Sequence, residues 1–196
     1  MLNNEDRPGV EEQYSQACTS SNLRVEADRR SAADVLIASG MSNSRLGGAL
    51  MRLRSEYGSD SVPRRNASAT DHRLMMGRLK TLPAVLSAVA AQAHGWGIER
   101  PEAVALAVVS HWLDNICQPC SGQGKTQSLV KIDVTQLRSK QKEFVTHSVV
   151  KPCKHCKGAG RIDLTHGSAG RRMDGFIAAC VGDWATRTKR LLHDRR

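Results

Sequence analysis

Residues 117–125 read Cys-Gln-Pro-Cys-Ser-Gly-Gln-Gly-Lys and residues 153–161 read Cys-Lys-His-Cys-Lys-Gly-Ala-Gly-Arg. One pattern, C-x-x-C-x-G-x-G-[K/R], thus occurs twice, 36 residues apart. Two thiols separated by two residues reach one metal ion from a single tight turn, and two such turns complete the tetrahedral thiolate set that zinc prefers. The glycines let the backbone take up positive φ and bring N–H groups close to sulfur. Cys117, Cys120, Cys153 and Cys156 are therefore the candidate ligands of one zinc ion. The 32 residues between the pairs make a wider gap than a common zinc ribbon has.

A closed four-cysteine site is normally structural, because catalytic zinc keeps a position open for water or substrate. A redox dithiol pair and a catalytic centre are the alternatives. Pro152-Cys153-Lys154-His155-Cys156 matches half of a zinc nucleobase deaminase, whose other half is an upstream H-x-E. His72, His94, His111 and His147 are followed two places on by Leu74, Trp96, Leu113 and Val149, so that chemistry fails. Gly124-Lys125-Thr126 resembles the end of a phosphate-binding loop, but Pro119 stands where its first glycine belongs. No carboxylate pair or catalytic triad is evident, and a non-enzymatic role is expected.

Charge points the same way. Residues 1–116 hold 13 Lys/Arg against 13 Asp/Glu, whereas residues 117–196 hold 16 against 6, so the whole excess of +10 lies beyond residue 116. Positive charge concentrated around zinc knuckles is the electrostatic footprint of a nucleic-acid binder. A basic surface serving solubility alone is the plainer alternative. No apolar run reaches the 18 residues a membrane span requires, and the first residues, Met1-Leu2-Asn3-Asn4-Glu5-Asp6, lack the basic start and apolar stretch of a signal peptide. The expected location is a reducing cytoplasm, where thiols bind metal more often than they form disulfides. Cys18 and Cys180 read as an incidental and a core cysteine.

The predicted fold is mainly α, in four segments. Residues 1–30 are polar and aperiodic, a flexible tail. Residues 31–116 form a helical core. It opens at Ser31-Ala32-Ala33-Asp34, a capping-box-like start, with Gly40 as a stop. A second helix capped by Ser42 or Ser44 carries Leu46, Leu50 and Leu53, and residues 58–69 form a loop. A long periodic stretch from Thr70 to His94 follows, either kinked or divided into two helices at Pro83, and Gly95-Trp96-Gly97 breaks the chain. Pro101 then starts a helix that runs to Leu113 and delivers the chain to the first knuckle.

Residues 117–161 are the zinc finger. Val130, Ile132 and Val134 alternate, as do Val145, His147 and Val149, about a polar turn at 138–143. This predicts a β-hairpin that joins the two cysteine pairs at its base. In residues 162–196, Met173, Phe176, Ile177, Cys180, Val181 and Trp184 mark one helix face. A break at Gly182-Asp183 followed by a basic helix would make a helix-turn-helix-like unit. A single amphipathic helix with a solvated basic face is the alternative. Candidate DNA contacts are Arg171, Arg172, Arg187, Lys189 and Arg190 from this unit, and Lys154, Lys157 and Arg161, with Lys151, around the second knuckle.

Three segments resemble the phage lambda-type Q transcription antiterminators. They are residues 33–41 with the helix after them, Trp112-Leu113 running into the paired knuckles, and Trp184-Ala185-Thr186-Arg187-Thr188-Lys189 before Leu191. The likeness covers residues 31–196 in patches. The insert between Cys120 and Cys153 is longer than expected for the family, and the chain ends soon after the basic helix. Chaperones of the DnaJ type share the knuckle, but they carry four copies and a His-Pro-Asp signature that are absent here. What the resemblance implies is a phage or prophage late-gene regulator in the bacterial cytoplasm. It would bind double-stranded DNA of a late promoter and load onto RNA polymerase paused with its sigma factor. It would then act at the RNA exit channel, close to nascent RNA, so that the enzyme ignores terminators. A zinc-containing DNA-binding repressor and a DnaJ-like zinc-finger chaperone module are the competing expectations.

Overall fold

The structure is a computed structural model; it describes residues 8–21, 23–24, 31–42, 44–59, 76–133 and 144–193. The expected loop over 58–69, the start of the helix at Thr70 and the turn at 138–143 lie largely outside these residues. Gly58 is described, and it lies within a helix. The chain divides into a helical unit, which takes in residues 164–196, and a second unit containing residues 114–163.

The helical unit contains α1 (Val10–Thr19), α2 (Ala32–Met41), α3 (Arg45–Ser59), α4 (Leu82–Gly95), α5 (Pro101–Leu113) and α6 (Gly167–His193). The N-terminal segment is thus not a structureless tail throughout. It makes α1, whose Tyr14 and Ala17, three residues apart, are both buried. The capping box at α2 forms as expected: Ser31 Oγ accepts from the Asp34 amide at 3.3 Å, and Asp34 Oδ2 accepts from the Ser31 amide at 2.9 Å. Such caps satisfy orphan helix donors and contribute about 1 kcal/mol.

Of the two expectations at Pro83, a kink and two separate helices, the second is met, since residues 76–78 are helical and α4 begins only at Leu82; Pro83 kinks no helix. It occupies the first turn of α4, where a missing N–H costs nothing, and the chain is not helical at residues 79–81. The carboxylate of Glu56, on α3, accepts from both the amide and the hydroxyl of Thr81 and so fixes this start. α5 begins at Pro101, as its sequence predicts, and buries Val104, Ala105, Val108 and Val109.

The largest correction concerns α6. It runs unbroken for 27 residues through Gly182 and Asp183, so the expected turn is not formed. A glycine inside a helix costs about 1 kcal/mol relative to alanine. The flanking residues outweigh that, because Val181 and Trp184 are buried and Asp183 pairs with Arg187 at 2.9 Å, one turn on. A Cβ at Gly182 would meet nothing within 4 Å, so no close helix crossing requires glycine there. The buried positions Gly170, Met173, Ile177, Val181, Trp184, Thr188 and Leu192 form one stripe along the whole helix. Trp184 is its anchor. The indole packs edge-on against Tyr14 at 5.3 Å and donates to Ser39 Oγ at 3.1 Å, tying α1, α2 and α6 together. The close approach of helices is instead at Gly47 on α3, where a Cβ would lie 2.4 Å from the Cys180 carbonyl oxygen of α6.

In the second unit, β1 (Lys125–Asp133) pairs antiparallel with β2 (Phe144–Pro152), from Lys125 opposite Pro152 to Asp133 opposite Phe144. The alternating residues Val130 and Ile132 fall opposite His147 and Val145. Both knuckles lie at the base of this hairpin.

Candidate metal centre and basic surfaces

Each knuckle turns through two consecutive left-handed residues, Ser121-Gly122 in the first and Lys157-Gly158 in the second, and a third at Gly124 or Gly160. This conformation carries the chain back past its own cysteines, where the amides of Gln123 and Ala159 donate at 2.9 Å to the carbonyls of Cys120 and Cys156. The two halves then bind each other reciprocally. The Cys117 amide donates to the Gly160 carbonyl at 2.9 Å, and the Cys153 amide donates to the Gly124 carbonyl at 2.7 Å. Adding 36 to one residue number gives its counterpart in every case, and the same operation maps the pair Lys125–Pro152 onto the bridge Arg161–Ile116. The centre therefore has an internal pseudo-twofold axis.

Glycine is required where the halves touch. A Cβ on Gly124 would lie 2.2 Å from the Gly158 carbonyl oxygen, and one on Gly160 would lie 2.3 Å from that of Gly122. Both residues also have φ above +70°. These two contacts hold the cysteines face to face. Cys117 and Cys153 Sγ are 3.8 Å apart, Cys120 and Cys156 Sγ are 3.7 Å apart, and all four lie within 4.8 Å of one another. A tetrahedral ion with metal–sulfur bonds of about 2.3 Å sets its ligands about 3.8 Å apart. A disulfide would need about 2.05 Å. All four residues are buried, at 0 to 8 % exposure, and together they are their own cluster.

The electrostatics fit a cation. Burial pushes the Cys117 thiol up to about 12, the behaviour of sulfur withdrawn from water without a compensating charge. At Cys156 burial also raises the pKa, but the Gly160 and Gly158 amides aimed at Sγ outweigh it and bring the thiol down to about 7. The Gly160 amide is 3.2 Å from that sulfur. Amides directed at a thiolate are the outer support that metal-bound cysteines receive. Four buried cysteines in one cluster, with backbone donors on the sulfur, are thus compatible with a metal site. Cys18 is exposed and Cys180 half-buried, and neither joins a metal-ligating group among the described residues.

The expected DNA contacts separate into distinct places. Lys154, Lys157 and Arg161 are exposed on the second knuckle and its outgoing strand, and Lys151 is exposed on β2 before it. Lys125, the counterpart of Arg161 across the pseudo-twofold, is exposed as well. The contacts expected from the sequence omit it, although the closing [K/R] of the repeat marks it. On α6, Arg171 and Lys189 are 18 residues apart, or about 27 Å along the axis. All five α6 cations are exposed, but they are not equally free. Arg172 lies 4.1 Å over the Trp96 ring, which in turn packs edge-on against Phe176, and Arg187 is paired with Asp183. Arg171, Lys189 and Arg190 make no ion pair among the described residues. Among those residues, no helix is long and apolar enough to cross a membrane.

No family model, curated protein or solved structure matches the chain.

Proposed function

We propose that the chain is a zinc-containing, DNA-binding transcription regulator, and specifically a late-gene antiterminator of the phage lambda-type Q kind. The observation that carries this reading is the four-cysteine cluster with exposed Lys125, Lys151, Lys154, Lys157 and Arg161 around it. One structural zinc ion bound by Cys117, Cys120, Cys153 and Cys156 holds the hairpin base. The choice of zinc follows from an all-thiolate, closed, tetrahedral donor set. The cations around it serve as phosphate contacts, which position a protein on nucleic acid without reading its sequence. In the helical unit, Arg171, Lys189 and Arg190 supply further phosphate contacts from the solvent face of one long helix, in place of a recognition helix behind a turn. The partners are double-stranded late-promoter DNA, bacterial RNA polymerase paused with sigma factor, and nascent RNA at the exit channel, in the host cytoplasm.

The test is gentle crosslinking of tagged protein in a bacterial host, followed by retrieval, with Cys153→Ser as control. Polymerase recovered with wild type and lost with the variant is the expected result, and read-through of a terminator downstream of a late promoter should follow it. Recovery of DNA without polymerase would replace the antiterminator by a repressor. Recovery of neither would remove the transcriptional reading.

A further inference from the structure

We propose that the cleft between α1, α2 and α3 is a binding site for a phosphate monoester of mononucleotide size. The cleft has a volume of about 420 Å³, within the range of about 300–1,000 Å³ typical of small-molecule sites. Its α3 wall is Arg45, Gly48, Ala49 and Arg52, spaced i, i+3, i+4 and i+7, so one helix face presents two arginines with two small residues between them. The small residues leave the space open. A larger pair at 48 and 49 would fill it.

The chemistry of the walls selects a doubly charged anion. Among the described residues, neither Arg45 nor Arg52 is in an ion pair and no carboxylate lines the cleft. Two guanidiniums on one wall match the two charges of a phosphate monoester; a carboxylate would neutralise only one. Hydroxyl groups complete the lining, from Ser39, Ser44 and the buried Tyr14. Burial raises the Tyr14 pKa, as does the neighbouring Cys18 thiol, and the Arg52 guanidinium against the hydroxyl opposes both. Tyr14 thus lines the cleft as a hydroxyl shared between Cys18 and Arg52, and it holds Arg52 at the wall. The amino end of α3, the positive end of its helix dipole, lies on the same side. Leu36 and Ala49 provide apolar surface for a ribose or base. The site lies within the helical unit and does not involve the metal centre.

The phosphate could be that of a free mononucleotide or the 5′ end of a strand, and titration calorimetry of the full zinc-loaded chain separates the two. The probes are AMP, adenosine, and tetranucleotides with a 5′-phosphate or a 5′-hydroxyl. AMP should bind and adenosine should not. Arg45→Gln and Arg52→Gln should each weaken AMP roughly tenfold or more. Arg54→Gln, an exposed arginine of α3 outside the cleft, should leave it unchanged. Ala49→Leu keeps both arginines and should abolish binding by filling the space, with thermal melting as the check on folding. A 5′-phosphorylated tetranucleotide that binds tenfold tighter than AMP, with the same dependence on Arg45 and Arg52, would identify a strand end as the source. The proposal is overturned if no phosphorylated probe binds at millimolar concentration, or if adenosine binds as well as AMP. It is equally overturned if the 5′-hydroxyl strand equals the 5′-phosphorylated one, or if both arginine variants bind AMP as wild type does.

Discussion

A single methyl group at residue 160 should dismantle a centre to which that residue contributes no ligand. In Gly160→Ala the new Cβ would lie 2.3 Å from the Gly122 carbonyl oxygen and 3.0 Å from its carbon, so backbone must move. The φ of +75° adds about 1–2 kcal/mol for a residue with a side chain. Displacement of residue 160 also weakens two hydrogen bonds, its amide to Cys156 Sγ and its carbonyl from the Cys117 amide, at about 1 kcal/mol each. With the contact itself, the sum is roughly 3–5 kcal/mol, or about two to four orders of magnitude in metal affinity. The same substitution at Gly158 is the control. Its Cβ would find no atom closer than 3.9 Å, so only the positive φ is charged against it. Zinc transfer to a chromogenic chelator, followed at matched protein concentration, reads the difference. Gly124→Ala should behave like Gly160→Ala, because its Cβ meets the Gly158 oxygen at 2.2 Å. If Gly160→Ala and Gly158→Ala release zinc alike, the carbonyl contact does not support the centre and the geometric argument fails.

The other expectations follow from the same structure. Cys153→Ser should lower the zinc content from one per chain to near zero, yet keep most of the far-UV helical signal, because the helical unit has its own core of buried residues. Trp184→Ala removes a fully buried ring and the indole donor to Ser39, and should cost about 3–5 kcal/mol in urea unfolding. Thr188→Val should stabilise by about 1 kcal/mol, since the threonine hydroxyl is fully buried without a partner in the described residues. In salt titrations of DNA binding, Lys189→Ala and Arg190→Ala should each lower the slope by about one unit, and Arg187→Ala by less because Asp183 already holds it.

Where one physical term dominated, the sequence was readable. The spacing of thiols and glycines announces the centre, because tight turns at positive φ leave few other residue choices. Pro101 could start a helix and do little else, and the apolar stripe from Met173 to Trp184 is one unbroken period. The misreadings came where terms of similar size compete. At Gly182 a helix-breaking penalty of about 1 kcal/mol, weighed locally, favours a turn over the single helix. The burial of Val181 and Trp184 on either side exceeds it, and that burial depends on partners distant in the chain. α1 is hard to read from sequence because its strong signals are Tyr14 and Ala17 in a polar segment without a side-chain cap. At Pro83 the sequence leaves a kink and a fresh helix start both open, because the contact that fixes the start joins Thr81 to Glu56, 25 residues away. The cleft beside Arg45 and Arg52 has no linear motif. It exists only because a hydroxyl-rich α2 end faces an arginine-bearing α3 wall.

The reciprocal pairing of the two knuckles has a consequence for how this chain can change length. Each half is a short self-complementary module, and the symmetry relating them is set by contacts at the base, from Cys117 to Lys125 and Cys153 to Arg161. Among the described residues, nothing farther along the arm enters that geometry. Strands nine residues long already project about 30 Å from the centre. Inserting or deleting two residues in each strand preserves which face every side chain occupies and moves the far end by about 7 Å. Reach and anchorage are thereby decoupled, and the arm can be lengthened or trimmed in increments while its root stays unaltered.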